Sequence, residues 1–442
     1  MSVATRSTAN KLSFGSGRMR DFFRGALFCV LVAGISILPI SLRASVTEMT
    51  GSKLRWGKGP ISIHISSSFS PPTSGIPAGS DVLGALQRSL AKWEDIADIE
   101  FKLSRSDDLS VSPSGAAGDG VSLITIAPVA ENVLLFTKDR AKASAITRVF
   151  FDRQGRITEG DIVLNPAFQF STDNTFGTYD LEAVFTHEIG HLLGLGHSNI
   201  GSSVMFDGVP LNNFYEAGRH LKALSDHDVA SIRALYGAGI SDPDCCGVLQ
   251  GQFPISGKGV KDVLIWAQDG KTGAVTHAGN GSKNGSFELN GMTLGSYDIL
   301  AQANDETGAA LGAVWLGSGA IDFGTNKLSG KPGSFAQVGF RIEAVGIEDQ
   351  LSKRAISVGR GHNYRLLVGG KGLDMKGLSF GTTSSLIVLK PGSQAVQDFE
   401  GRLPVVTLDL TIDNSVPPGE YSLFVESPTG LRRYLVGAIS VE

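Results

Sequence analysis

The chain has 442 residues, with 39 Lys and Arg against 43 Asp and Glu, and a formal net charge of −4 at pH 7. This balance excludes the strong basic field that a nucleic-acid partner requires, while 42% apolar residues can supply several hydrophobic cores. The length predicts two or three domains. The 56 glycines concentrate in turns between short apolar runs, which is typical of β-rich domains.

The amino terminus is typical of a secretory signal. Three arginines between Arg18 and Arg24 precede an apolar run at residues 25–40, and Ala44 offers a small residue at a cleavage point. We therefore expect a signal peptide at residues 1–44 and a secreted, extracellular protein. The apolar run is too short to favour a stable membrane span, so none is expected after cleavage. An uncleaved signal anchor is the alternative.

The next region is predicted to mix α and β elements. Residues 61–65 alternate as in a strand, and apolar residues recur at helical spacing over residues 82–93, which indicates a helix packed on a sheet. Two alternating runs, at residues 145–152 and 157–165, flank a turn and predict a β-hairpin.

A histidine-rich motif reads FTHEIGHLLGLGH and ends at His197. His187 and His191 are four residues apart, so on a helix both project from one face and can reach one metal ion. Glu188 lies on the flank of that face, where its carboxylate can polarise a water at the metal. Gly194 permits a left-handed turn at the helix end, which returns His197 to the metal. Three imidazoles and a water then complete a tetrahedral, open catalytic zinc site.

A methionine turn accompanies this motif in metzincin metalloproteases, and Met205 stands eight residues after His197. Among metzincins the chain resembles the matrixins, the matrix metalloprotease family of peptidases. Ser198 follows the third histidine, and residues 224–237 resemble the closing helix of that family. Further matches to matrixin elements lie upstream, in the expected order, at residues 55–56, 61–65, 82–93 and 161–165.

The resemblance covers residues 54–237. It implies an α+β fold at residues 45–240, a metzincin catalytic domain with a twisted mixed sheet and long helices, and a zinc endopeptidase whose partner is a protein or peptide substrate. It also implies that the first hairpin strand borders the cleft and pairs with an extended substrate. The implied site residues are the zinc ligands His187, His191 and His197, the general base Glu188, and Met205 as an apolar floor beneath the ligands.

Calcium is a second candidate cofactor, since matrixins often bind it. Asp173, Asp180 and Asp207 could be structural calcium ligands, and the alternative is that they are solvated loop carboxylates. Asp180 can also cap the metal-binding helix. The sequence departs from matrixins after Met205, where Phe206 and Asp207 follow and the family usually has a tyrosine and a proline.

Beyond Gly237 the pattern becomes all-β. Residues 241–341 resemble a carboxypeptidase-regulatory-like β-sandwich, and residues 342–442 resemble an immunoglobulin-like β-sandwich. Spacing, docking and adhesion are equally open as their role, and their ligand is unknown. After signal cleavage the remaining cysteines are Cys245 and Cys246. Free thiols, an interchain link and a bridge between the two all stay open.

Two functions from different classes follow. The first is a secreted zinc endopeptidase, which the complete ligand set and the intact Glu188 favour. The second is an extracellular adhesion or scaffolding protein with a vestigial protease domain, in which the β modules carry the role. A missing ligand or base would favour the second function, and neither is missing from the motif.

Overall fold

The computed structural model describes residues 48–49, 52–113, 117–212, 222–239, 245–253, 255–256, 260–282, 284–329, 333–348, 350–397 and 403–442. The predicted signal peptide lies outside these ranges. All described residues belong to one compact unit, Leu42–Glu442. Within the described ranges, no helix has the length and apolar character that a membrane crossing requires.

The part of the chain up to residue 239 combines strands and helices. Its strands are β1 (Glu48–Met49), β2 (Ser52–Lys53), β3 (Arg55–Trp56), β4 (Ile61–Ser66), β5 (Phe101–Ser106), β6 (Leu123–Thr125), β7 (Ala145–Phe151), β8 (Arg156–Leu164), β9 (Phe170–Ser171) and β10 (Tyr179–Asp180). Its helices are α1 (Val82–Glu94), α2 (Ala130–Val133), α3 (Leu181–Leu192) and α4 (Asp226–Tyr236). The predicted strand at residues 61–65, helix at residues 82–93 and hairpin at residues 145–165 are confirmed as β4, α1 and the β7–β8 pair.

A mixed sheet and two helices form the core of this region. The sheet has the order β5-β4-β6-β8, with β3 also parallel to β8 and β7 antiparallel to it. The apolar stripe of α1 ends at Trp93, which is fully buried with Ile189 of α3. Both residues share a core with Ile63 and Ile162 of the sheet. This packing holds α3, which carries the histidine motif, against the sheet.

From residue 247 onward the described chain is built of strands without helices. They are β11 (Gly247–Gln252), β12 (Ile255–Ser256), β13 (Lys261–Asp269), β14 (Ala274–Asn280), β15 (Ser286–Met292), β16 (Gly295–Asn304), β17 (Ala310–Ile321), β18 (Gly324–Ser329), β19 (Gly333–Ser334), β20 (Arg341–Ile347), β21 (Ile356–Val358), β22 (Asn363–Lys371), β23 (Ser379–Thr382), β24 (Ile387–Leu389), β25 (Ala395–Gln397), β26 (Val405–Ile412), β27 (Gly419–Glu426) and β28 (Arg432–Val441). We call residues 247–442 the β region.

One sheet crosses the predicted boundary inside the β region. Its strands have the order β17-β16-β13-β14-β27-β28-β21, and β14 pairs with β27 through Ala274 and Tyr421. A second sheet has the order β20-β22-β26-β24. The all-β character is as expected, while the division at residues 341–342 stays a prediction. Immediately before the β region, Cys245 and Cys246 form a disulfide with each other.

Helix α4 lies against the β region. His227 of α4 and His277 of β14 are both buried, with 3.1 Å between their Nδ1 atoms. The backbone N–H of Ala278 donates to the His227 Nδ1 at 3.2 Å. On β15, a Cβ at Gly291 would lie 2.1 Å from the carbonyl oxygen of Ala230, so the strand backbone touches the helix backbone.

Candidate metal and catalytic site

Helix α3 presents the first two histidines of the motif. Asp180 caps its start and accepts a backbone N–H of the first turn at 2.9 Å, as predicted. The indole N–H of Trp93 in α1 donates to the carbonyl of Thr186 at 3.1 Å. At the other end, the indole N–H of Trp56 donates to the carbonyl of Leu192 at 2.8 Å. The helix is therefore fixed at its start, its middle and its end.

The chain turns sharply after α3. Gly194 has φ +96°, and the next N–H, from Leu195, donates to the carbonyl of Gly190 at 2.9 Å. A Cβ at Gly194 would lie 2.2 Å from the carbonyl oxygen of Leu54, so both the left-handed backbone and the available space require glycine. The turn carries His197 back to the helix, as the sequence predicts.

The three histidines converge. One ring nitrogen from each of His187, His191 and His197 lies within 4.8 Å of the others. The Nε2 atoms of His187 and His191 are 3.1 Å apart. Zinc–nitrogen bonds of about 2.0–2.1 Å in a tetrahedral site place two ligand nitrogens about 3.3 Å apart. The geometry therefore fits a zinc ion. Within the described ranges, it is the one group of three or more His, Cys, Asp or Glu side chains that could hold a metal.

Backbone carbonyls set the tautomer of two histidines. The Nδ1 of His187 lies 2.7 Å from the carbonyl oxygen of Val204, and that of His191 lies 2.8 Å from the carbonyl oxygen of Leu195. A carbonyl only accepts, so each Nδ1 carries the proton and each Nε2 keeps a free lone pair. Burial lowers the pKa of His187 well below its usual value and that of His191 to about 3. Both rings are therefore neutral at pH 7, as metal ligation requires.

Glu188 follows His187 in α3 and is buried. The hydroxyl of Thr147 in β7 is 2.6 Å from its Oε2 and 3.1 Å from its backbone carbonyl oxygen. Burial raises the pKa of Glu188 to about 7, and the Thr147 hydroxyl opposes that rise. Such a carboxyl group exchanges a proton near neutral pH. Sequence reasoning missed Thr147, because a threonine in a strand has no distinguishing pattern.

Met205 lies beneath the histidine helix, 2% exposed. A Cβ at Gly190 would lie 2.2 Å from the Met205 Sδ, so the methionine packs on the α3 backbone between His187 and His191. The N–H of Ser198 donates to the Met205 carbonyl at 2.8 Å, which joins the start of the turn to its end. The segment from Ser198 to Met205 is thus a closed turn.

Asp228 of α4 supports this turn from the other side. Its carboxylate accepts the N–H of Ser225 at 2.9 Å, and the Ser225 hydroxyl accepts the N–H of Asp228 at 3.2 Å, which together form a helix-capping box. The same carboxylate accepts the N–H of Val204 at 2.9 Å and the hydroxyl of Ser203. The Ser-x-x-Asp spacing is readable in the sequence, but the contact with the turn is not.

The three aspartates considered for calcium have other contacts. Asp173 accepts hydrogen bonds within its own loop. Asp180 pairs with Lys222 at 2.7 Å. Asp207 is exposed, and its Oδ1 lies 3.7 Å from the Nδ1 of His197. None of them belongs to a metal-compatible group among the described residues, so the calcium prediction gains no support.

The fold and the histidine cluster indicate a region that is similar to the matrixins. The matrixin family model matches residues 138–237, which contain the hairpin, the histidine motif, the methionine turn and α4. The predicted resemblance to matrixins is therefore confirmed, at low sequence identity.

Several curated proteins are similar to this chain. Metalloendoproteinase 2-MMP of Arabidopsis thaliana is 29% identical over 167 residues, which is 37% of this chain and 39% of that protein. Metalloendoproteinase 1 of Glycine max is 27% identical over 41% of this chain and 53% of its own length. Matrix metalloproteinase-19 of Homo sapiens is 40% identical over 93 residues, 20% of this chain and 17% of that protein. The chain thus spans about half or less of the length of these relatives.

Proposed function

We propose that this chain is a secreted zinc-dependent endopeptidase. The observation that carries the proposal is the convergence of three histidine rings, each with a pKa that burial lowers, beside the buried carboxyl group of Glu188. A catalytic zinc site needs an open position and an adjacent general base, and this arrangement can supply both. The similarity to metalloendoproteinases supports the same conclusion.

The zinc ligands in this proposal are His187, His191 and His197. A zinc ion bound there supplies a Lewis acid that polarises a peptide carbonyl and makes a water nucleophilic near neutral pH. The carbonyls of Val204 and Leu195 bind the Nδ1 of the first two rings, so the Nε2 of each ring would be the atom that holds the ion.

Glu188 is the general base in this proposal. Its carboxylate takes a proton from the attacking water and delivers it to the leaving amine nitrogen, so one group acts first as base and then as acid. The Thr147 hydroxyl, 2.6 Å from Oε2, orients the carboxylate for this transfer. Met205 takes no part in proton transfer and supports α3 beneath the ligands.

Strand β7 supplies the binding edge for an extended peptide. It pairs with β8 on one side, and no described strand pairs with its other side. Thr147 touches Glu188, which places this strand beside the catalytic carboxylate. A substrate that adds to β7 as a further strand would satisfy its free backbone groups and bring a peptide carbonyl toward the histidines.

Chelator-sensitive cleavage of casein by the zinc-loaded chain tests the function. Glu188→Gln is the control, because it keeps the size of the side chain and loses the ability to accept a proton. We expect the parent to cleave, and the Gln variant to bind zinc equally and turn over at least about a thousandfold more slowly. Equal turnover by the Gln variant would remove Glu188 as the base. Zinc binding without cleavage of casein or of a peptide library would favour the adhesion or scaffolding function.

Secretion has a separate test. The proposal expects the protein in the culture medium with a new amino terminus near Ser45, because the residues before it match a signal peptide. Amino-terminal sequencing of the secreted protein checks this. Recovery of the uncleaved chain in the membrane fraction would instead identify a signal anchor.

A further inference from the structure

Arg354 of the β region inserts its side chain beneath the methionine turn. It lies between β20 and β21 and is 7% exposed. Its Nε donates to the carbonyl oxygen of Gly208 at 3.1 Å, and its Nη2 donates to that of Phe206 at 3.0 Å. Its Nη1 lies 3.4 Å from the carbonyl oxygen of Ser203. One guanidinium group thus contacts three backbone carbonyls of the segment Ser203–Gly208, which lies about 150 residues earlier in the chain.

The chemistry of arginine suits this position. The guanidinium is a planar fork of five N–H donors and cannot accept, so a set of convergent carbonyls satisfies it. Burial lowers the pKa of Arg354 to about 10, with Asp228 and Asp207 opposing the shift, so the group stays charged at neutral pH. Its central carbon also lies 5.2 Å from the centroid of the Phe206 ring, in the range of a cation–π contact.

A second contact fixes the start of the same turn. Ile200 is 1% exposed and belongs to an apolar cluster of the β region with Trp266 and Val436. A Cβ at Gly437 would lie 2.6 Å from the Ile200 Cγ2, so this side chain lies on the backbone of β28. The segment from residue 200 to residue 208 therefore rests on the β region at both ends.

The backbone of this segment is hydrogen-bonded to the histidine motif. The carbonyl of Val204 accepts from the His187 Nδ1, and the carbonyl of Met205 accepts from the N–H of Ser198, next to His197. A shift of the segment would move both partners. Phe206 and the residues after it leave the turn beside His197, as the 3.7 Å approach of Asp207 to that ring shows. They are therefore placed to contact a bound peptide.

We infer that Arg354 is a positioning residue for Phe206–Gly208, so that peptide binding by the protease region depends on a side chain from the β region. This inference rests on the proposed function for its substrate. The β region is then a structural part of the peptide-binding site as well as a downstream module. The backbone order of Phe206–Gly208 can be measured without turnover. The positioning role of Arg354 and the proposed endopeptidase function can therefore fail independently.

The test compares Arg354→Gln with two control variants in the full chain. Lys353→Gln removes the neighbouring, exposed cation. Arg433→Gln removes another arginine that donates to backbone carbonyls, those of Ala303 and Leu311, within the β region. Arg354→Lys keeps the charge but replaces the fork with a single ammonium group.

Two readouts separate positioning from general stability. In the Glu188→Gln background, a peptide that the parent cleaves is bound without turnover, and we expect Arg354→Gln to weaken its binding by about tenfold. We expect the peptide affinity of Arg354→Lys to lie between that of Arg354→Gln and that of the parent. Both control variants should bind the peptide as tightly as the parent does. Backbone amide exchange at residues 203–208 of the zinc-loaded protein should speed up in Arg354→Gln and not in Arg433→Gln.

The outcomes are distinct. Faster exchange confined to residues 203–208 supports the inference even if no substrate is ever found. Unchanged exchange in a folded Arg354→Gln protein, or unchanged binding of a peptide that the parent binds, would overturn it. Equal effects of Arg433→Gln on residues 203–208 would also overturn it, since the role would then be general packing. If Arg354→Gln does not fold, Arg354→Lys supplies the same comparison.

Discussion

The carboxylate of Asp228 accepts the backbone N–H of Val204 at 2.9 Å. This bond ties α4 to the turn whose Val204 carbonyl holds the His187 ring. Asp228 is 1% exposed, so water could not take its place as the acceptor for these donors. Helix α4 therefore supports the candidate metal site indirectly, through the backbone N–H and the carbonyl of Val204.

Asp228→Ala should therefore destabilise the protein. Several buried donors lose their acceptor, and we expect a loss of about 3 kcal/mol in the free energy of unfolding. Urea denaturation of the zinc-free protein measures it. Asp228→Asn keeps one acceptor oxygen and should lose about 1 kcal/mol. Equal stability of the Ala variant and the parent would show that the network contributes nothing.

Thr147→Val should slow turnover while leaving zinc binding intact. The substitution keeps the shape of the side chain and removes the hydroxyl that bonds the Glu188 carboxylate. One lost hydrogen bond to a charged group predicts a fall in kcat of about tenfold. Steady-state kinetics with metal analysis checks this. Thr147→Ser should keep most of the activity, and full kcat in the Val variant would contradict the role.

Gly190→Ala should disturb the metal site from inside the helix. The added Cβ would lie 2.2 Å from the Met205 Sδ and 3.1 Å from a Trp93 ring carbon. Overpacking of this kind costs about 1–3 kcal/mol, and the displaced helix should bind zinc more weakly. Thermal unfolding and zinc titration measure both effects. Gly57→Ala is the matched control, because its nearest neighbour, in Arg156, would be 3.5 Å away. Equal behaviour of the two variants would contradict the close packing.

The buried pair His227 and His277 should make the protein less stable in mild acid. Burial lowers the pKa of both rings below the ordinary value; the nearby His227 lowers that of His277 further, while Asp228 opposes the shift at His227. The unfolded chain therefore binds more protons than the folded one below pH about 6.5, and stability falls as pH falls, by at most about 1.4 kcal/mol per histidine per pH unit.

The measurement is the urea midpoint between pH 7.5 and 5.5, with chelator present so that zinc release does not contribute. His277→Gln removes one titrating ring, so its stability should depend less steeply on pH than that of the parent. An identical slope in the two proteins would show that the pair does not titrate on unfolding.

Much of the candidate site could be predicted from the sequence because its determinants are local. The spacing of His187 and His191 is a property of one helix, and Gly194 encodes its own turn. The Asp180 cap and the β7–β8 hairpin were also predictable, since a cap and a short hairpin involve neighbouring residues. Each of these predictions is confirmed by the structure.

The long-range hydrogen-bond partners of the site residues are visible only in the tertiary structure. Thr147 reaches Glu188 across 41 residues, and Arg354 reaches Phe206 across 148. No periodicity or spacing encodes such pairs, because they arise when separate elements pack together. The sequence by itself thus determined which residues are candidates for binding a metal and activating a water. The tertiary structure decided what holds them in place, because burial and long-range hydrogen bonds exist only once the chain has packed.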